Sequence, residues 1–132
     1  MKLVVTEAGS EEAHAFAERA ETLASSTVAY AEARAAVGRG RVERRFTPEE
    51  AAIIGEALDE RWAHILTIDV DDTIARIAGD IADTRALRAL DAVHVASAVS
   101  LVQDGQVVFA SWDKRQRASA AAELLVLFPE SL

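Results

Sequence analysis

LRALDAVHVASAV, residues 87–99, is a nearly all-apolar helical segment that carries one acid, Asp91, and one histidine, His94. The residues around Asp91 at helical spacing are leucine and valine, so little of this helix is polar. A lone carboxylate on so apolar a helix is costly to bury unless a cation meets it. We therefore predict a functional role for Asp91 rather than that of an ordinary exposed acid. His94 is more often a core residue at such a position than a ligand.

The amino-acid composition limits the classes of protein to which this chain can belong. Its 132 residues favour one domain, residues 1–132, with a modest core. Cysteine is absent, which excludes disulfides and thiolate metal sites. The opening MKLVVTEAGS has too short an apolar run for a signal peptide, and no stretch is long and apolar enough to span a membrane. A cytoplasmic protein without membrane partners is expected.

Charge is unevenly distributed along the chain. The formal net charge of −8 argues against non-specific nucleic-acid binding, although a bound metal would neutralise part of an acidic cluster. Arginines nevertheless crowd residues 34–45, and Lys114, Arg115 and Arg117 follow Asp113. The run 39–45 is either a solvated face or a strip that binds RNA or a protein partner.

Strand and helix patterns alternate along the sequence. Continuously apolar strands are predicted at 25–30, 65–70, 107–111 and 124–128. Helices are predicted at 11–23, 31–44, 48–62, 72–84, 87–103 and 114–122. Thr47-Pro48-Glu49-Glu50 reads as a capping box, and Asp71 or Asp72 as an N-cap. The alternation indicates an α/β fold with a parallel sheet covered on both faces.

Two further acids, Glu32 and Asp113, follow predicted strand ends, where ligands bind in such sheets. Glu32 could instead interact only with the helix dipole, and Asp113 could be a simple N-cap. Taken with Asp91, they predict one shared metal site in which all three are ligands and catalytic residues. Carboxylates alone suit Mg²⁺ or Mn²⁺. Ser111 is a candidate for orienting a metal-bound water.

Three stretches carry a resemblance to a known family: 26–40 (STVAYAEARAAVGRG), 87–99, and 107–120 (VVFASWDKRQRASA). With GSEEAHAF at 9–16, they resemble the PIN-domain family, and within it the VapC-type toxins of toxin–antitoxin pairs. The resemblance implies a three-layer α/β/α fold and Mg²⁺-dependent endoribonuclease activity. It also implies a homodimer and a cognate VapB-type antitoxin.

The start of the chain departs from the family pattern. The family opens with a central strand that ends in a fourth acid, whereas MKLVVTEAGSEE begins within the first helix. We expect that strand and its acid upstream of Met1; otherwise Asp69 or Asp104 would have to supply the fourth carboxylate. An impaired PIN remnant that binds an antitoxin or partner is the alternative function. A receiver domain is disfavoured, because the acid pair Asp71-Asp72 follows a middle strand and the final strand is followed by no lysine.

Overall fold

The computed structural model describes residues 7–132, and the apolar opening residues lie outside that range. The chain divides into two compact units, one ending at Thr67 and one from Ile68 to Leu132. The elements along the chain are α1 (Ser10–Arg19), β1 (Ala24–Ser26), α2 (Val28–Val42), α3 (Pro48–Trp62), β2 (Leu66–Ile68), α4 (Asp72–Arg85), α5 (Ala89–Ser100), a 3-10 turn (Val102–Asp104), β3 (Val108–Ala110), α6 (Lys114–Ala122) and β4 (Val126–Phe128). None of the helices within residues 7–132 has the length and hydropathy to cross a bilayer.

In the N-terminal unit, α2 packs against α3. The predicted capping box at the start of α3 is confirmed. The Thr47 hydroxyl accepts from the Glu50 backbone N–H at 3.1 Å, and the Glu50 carboxylate accepts from the Thr47 N–H at 3.1 Å. Pro48 occupies the first turn, where its missing N–H costs nothing.

The strand predicted at residues 25–30 is shorter than expected. It ends at Ser26, and α2 already begins at Val28. Local propensity accounts for this, because residues 29–37 (AYAEARAAV) are rich in helix-forming alanine, glutamate and arginine. Within the helix, the Tyr30 hydroxyl donates to Asp59 on α3 at 2.7 Å. Glu32 consequently lies in the second turn of α2 rather than directly after a strand.

In the C-terminal unit, α4 and α5 enclose most of the apolar core. Ile74, Ala78 and Ile81 recur at helical spacing on α4 and are buried, as the periodic pattern predicts. The N-cap of α4 is Asp71, whose carboxylate accepts from the Ile74 backbone N–H at 2.9 Å. The helix predicted at 87–103 is confirmed only over Ala89–Ser100, and its last turn tightens to 3-10 geometry.

Among residues 7–132, the strands form two two-stranded sheets, β1 with β2 and β3 with β4. β3 and β4 run parallel, with Phe109 opposite Leu127, so the α/β class and parallel pairing are confirmed. The predicted burial of the strands on both faces of the sheet is not seen for β3 and β4. Val108 is 38% exposed and Val126 is 53% exposed. Each strand in the described part of the chain has three residues, and these short strands leave some of their side chains exposed.

Candidate functional site

Asp91 is the third residue of α5 and is 9% exposed. Leu87 and Ala92, close to it in sequence, belong to the apolar core. Its carboxylate receives two donors: Nε of Arg88 lies 2.7 Å from Oδ2, and Nε2 of Gln116 lies 3.0 Å from Oδ1. A buried carboxylate needs a nearby positive charge, and Arg88 supplies part of that charge here.

Asp113 is the N-cap of α6 and lies three residues after the end of β3. Its Oδ1 accepts from the backbone N–H groups of Arg115 at 2.8 Å and of Gln116 at 3.0 Å. The predicted capping role is therefore confirmed. Because both capping bonds use Oδ1, the role leaves Oδ2 outside the cap, and Asp113 is exposed enough to meet a ligand.

Ser111 and Gln116 join the two acids. The Ser111 hydroxyl donates to Gln116 Oε1 at 2.9 Å and accepts from the Asp113 backbone N–H at 3.1 Å. The amide nitrogen of the same glutamine donates to Asp91. A continuous chain of hydrogen bonds therefore runs from the start of α6 to the buried acid on α5.

Arg117, which is 8% exposed, stabilises the turn between β3 and α6. Its Nη1 donates to the Ser111 carbonyl at 2.9 Å, and its Nη2 donates to the Pro129 carbonyl at 2.6 Å. A planar guanidinium can make both bonds at once. Arg117 thus ties the turn that carries Ser111 and Asp113 to the segment after β4.

Glu32 belongs to the N-terminal unit and is half-buried on α2. Two residues later, Arg34 reaches α3, with Nη1 4.0 Å from Asp59 Oδ1. The guanidinium occupies the space that a side chain at Gly55 would need, because a Cβ there would lie 2.6 Å from Nη1.

Of the three predicted site residues, Asp91 and Asp113 belong to one hydrogen-bond network. The convergence of Glu32 with them stays a prediction.

The other residues singled out in the sequence have simpler roles. Trp62 packs against Tyr30 with ring centroids 5.4 Å apart, and Trp112 meets Phe128 edge-on at 5.9 Å. Both tryptophans are therefore packing residues. His94 is half-buried on the same helix as Asp91, one turn further along.

Sequence reasoning missed Gln116, Arg88 and Arg117. A signal for Gln116 was present, because Asp113 and Gln116 have the spacing of an N-cap and its N3 partner. Arg88 stands three residues before Asp91, a spacing at which opposite charges meet on a helix. For Arg117, nothing local distinguishes the buried arginine from its exposed neighbours, since its partners are backbone carbonyls.

The donor set at this network suits a hard cation. Within residues 7–132, no group of three or more His, Cys, Asp or Glu side chains is placed to hold a metal ion. Mg²⁺, however, commonly keeps several waters and is held by one or two carboxylates together with substrate phosphates. Asp91 and Asp113 supply such oxygens, and the Ser111 hydroxyl belongs to the same network through the Asp113 backbone N–H and the Gln116 carbonyl oxygen. The residues therefore fit Mg²⁺ better than a metal that prefers nitrogen or sulfur.

Comparison with known proteins places this geometry in a family. The model of the PIN domain matches residues 1–124. The chain is 36% identical over 122 residues to Ribonuclease VapC45 of Mycobacterium tuberculosis (strain CDC 1551 / Oshkosh), which covers 92% of this chain and 84% of the relative. Ribonuclease VapC49 of Mycobacterium tuberculosis (strain ATCC 25618 / H37Rv) matches with the same identity and coverage. The chain therefore belongs to the PIN-domain family, alongside relatives of the VapC type.

Proposed function

We propose that this protein is a Mg²⁺-dependent endoribonuclease that hydrolyses RNA phosphodiester bonds, with Asp91, Asp113 and Glu32 as its catalytic metal ligands. The observation that supports this most is a buried carboxylate on an apolar helix, joined through hydrogen bonds to a second acid at a strand end. The relatives of this chain are named ribonucleases. Mn²⁺ is the expected substitute ion, because it takes the same oxygen ligands.

The residues have distinct tasks in this reaction. Asp91 and Asp113 hold the ion through carboxylate oxygens, and the cap at Asp113 fixes the orientation of its carboxylate. The Ser111 hydroxyl contacts the Asp113 backbone N–H and the Gln116 carbonyl oxygen, and its second lone pair is proposed to orient a water molecule. Mg²⁺, when bound, supplies positive charge that favours deprotonation of a nearby water and offsets the charge that develops on the phosphate.

The arginines within residues 34–45 are proposed to contact RNA phosphates. A cleft of about 260 Å³ between α2 and α3 is lined by Arg34 and Arg41 together with small and apolar side chains. Arginine forks match phosphate geometry, and such contacts make binding depend on salt. Arg41→Ala should flatten the dependence of RNA affinity on salt concentration, and an unchanged slope would assign this segment to the solvated surface.

The proposed biological setting follows the naming of the relatives. The VapC names of the relatives imply a VapB-type antitoxin as the partner. A homodimer in a cytoplasmic toxin–antitoxin pair is proposed from the family resemblance alone. Co-expression of the chain with the product of a neighbouring short reading frame, followed by purification of the complex, tests the antitoxin. Failure of every such neighbour to bind the chain and relieve growth arrest would contradict the antitoxin proposal, whereas expression of the chain alone without growth arrest would contradict the toxin assignment.

A Mg²⁺ titration of RNA cleavage tests the enzyme directly, with Asp91→Asn as the diagnostic variant. Asparagine keeps the shape and removes the charge, so cleavage should fall by at least ~10²-fold, which corresponds to roughly 3 kcal/mol of lost stabilisation. Asp80→Asn, at an exposed position of α4, is the matched control and should cleave like the parent. Equal cleavage by Asp91→Asn and the parent would refute the assignment.

An impaired PIN remnant that binds an antitoxin without cutting RNA is the second candidate. One observation favours it: Arg88 already places a positive charge 2.7 Å from Asp91, where a cation is needed. On this alternative the chain binds its partner, while Mg²⁺ neither raises the melting temperature nor promotes cleavage at any concentration.

A further inference from the structure

The Gln116 side chain contacts both the buried acid and the serine of this network. Its Nε2 donates to Asp91 Oδ1 at 3.0 Å, and its Oε1 accepts from the Ser111 hydroxyl at 2.9 Å. Its backbone N–H donates to Asp113 Oδ1 at 3.0 Å. The residue lies in the first turn of α6 and is half-buried. A single residue therefore connects two acids that belong to different helices.

The direction of these hydrogen bonds is fixed. The Ser111 oxygen accepts from the Asp113 backbone N–H, so the proton of the Ser111 hydroxyl is turned toward the Gln116 carbonyl oxygen. Reversing the amide would place that carbonyl against the Asp91 carboxylate, where two acceptors repel each other. Only one amide orientation satisfies every group. The cap of α6 thereby sets which way the Asp91 carboxylate faces.

The two donors to Asp91 differ in what they do to its charge. Arg88 is a cation whose side chain is 75% exposed, so it competes with any metal ion for the same carboxylate. The Gln116 amide is neutral: it orients Oδ1 and leaves the negative charge available. Hydrogen bonds of this kind, made to a ligand by a neighbouring side chain, typically change metal affinity by 10–100-fold.

We propose that Gln116 is a positioning residue that aligns the Asp91 carboxylate with Asp113 for a divalent cation, and that Arg88 competes with that cation. This inference rests on the proposed metal site. It predicts that removing the Gln116 amide lowers the affinity for the cation and that removing the Arg88 charge raises it, although the two residues contact the same carboxylate, one on each oxygen. A general loss of structure cannot produce opposite signs, so the pair is a strong test.

Mn²⁺ affinity of the full chain, measured by calorimetry with melting curves for every variant, provides that test. Gln116→Met keeps the length of the side chain and removes both of its hydrogen bonds, so affinity should fall by about tenfold or more. Arg88→Met should raise affinity severalfold. Gln103→Met, on the exposed 3-10 turn, is the matched control and should bind like the parent.

The outcomes separate the inference from the proposed function. If Asp91→Asn binds Mn²⁺ as tightly as the parent, the proposed site itself is wrong. If Asp91→Asn abolishes binding but Gln116→Met binds like the parent, the site stands and the positioning role is refuted. A fall in affinity for both glutamine variants would mark a general effect of Gln→Met, which also refutes the role.

A measurement on the unaltered protein covers the case in which Gln116→Met does not fold. Side-chain amide signals in a ¹⁵N–¹H spectrum report the hydrogen bonds of each glutamine. Addition of Mg²⁺ should shift the Gln116 amide signal and leave that of Gln103 unmoved. A Gln116 signal that stays fixed at a saturating Mg²⁺ concentration, as judged by calorimetry, would overturn the proposal.

Discussion

Replacing Arg117 by methionine should destabilise the protein more than the same change at any exposed arginine of α6. Methionine retains the length and apolar stem of the side chain and removes the guanidinium. The two lost hydrogen bonds run to the carbonyls of Ser111 and Pro129, at 2.9 and 2.6 Å. These bonds connect the turn before α6 to the segment after β4, so their loss acts on the part of the chain that carries Asp113.

The expected magnitude comes from two opposing terms. A hydrogen bond to a charged group contributes ~1.5–3 kcal/mol, so two of them amount to roughly 3–6 kcal/mol. Removing a buried charge relieves a desolvation cost that offsets part of this loss. A net loss of about 2–3 kcal/mol follows. For a chain of this size, each kcal/mol lowers the melting temperature by roughly 3–5 °C, which gives a fall of about 10 °C.

Thermal unfolding followed by circular dichroism measures this difference, with Arg115→Met as the control. Arg115 is exposed and makes one longer bond, 3.3 Å from its Nη2 to the Ala86 carbonyl. Its replacement should lower the melting temperature by no more than about 2 °C, because exposed interactions of this kind contribute little. Equal melting temperatures for the two variants would show that the buried guanidinium does not hold the turn.

Two predictions concern the N-terminal unit. The hydrogen bond to Asp59, followed by partial burial and the charge of that carboxylate, raises the pKa of Tyr30 above its usual 10.0. As the only tyrosine in the sequence, Tyr30 should therefore ionise above pH 10 in an absorbance titration at ~295 nm and return toward ~10 in Asp59→Ala. The stabilisation from a raised pKa is present below pH ~10 and disappears as pH rises through the folded-state value; a normal midpoint in the parent would contradict it. Gly38→Ala should stabilise by about 0.5–1 kcal/mol since its Cβ meets open space, whereas Gly40→Ala should destabilise because its Cβ would overlap the Phe46 ring; melting curves with the same sign for both would refute this.

Elements with strong local signals were predictable from the sequence. The capping box of α3 and the N-caps Asp71 and Asp113 are short-range hydrogen-bond patterns that need no tertiary information. The boundary between β1 and α2 was not predictable in this way. Its β-forming residues lie at the start of an alanine-rich helical segment, and there Tyr30 bonds to Asp59, 29 residues later in the chain.

The candidate site shows the same division between local and distant effects. Asp91 and Asp113 were identifiable because a carboxylate in an apolar helix and an acid after a strand are visible in sequence. The bond from Gln116 to Asp91 spans 25 residues, so no local pattern reveals it. The buried state of Arg117 is equally invisible, because its partners are backbone carbonyls that every residue carries.

The physical argument that singled out Asp91 also explains why one carboxylate can serve both candidate functions. A buried acid needs a cation, and Arg88 supplies one from an exposed side chain. An ion pair with one partner in solvent is typically worth less than ~1 kcal/mol, so it is easily exchanged for a stronger cation. Gln116 stays in place during such an exchange, because the α6 cap and Ser111 hold its backbone and its carbonyl oxygen. Competition between arginine and a divalent ion for a carboxylate held by a neutral amide would therefore decide whether this PIN domain cuts RNA or only binds a partner.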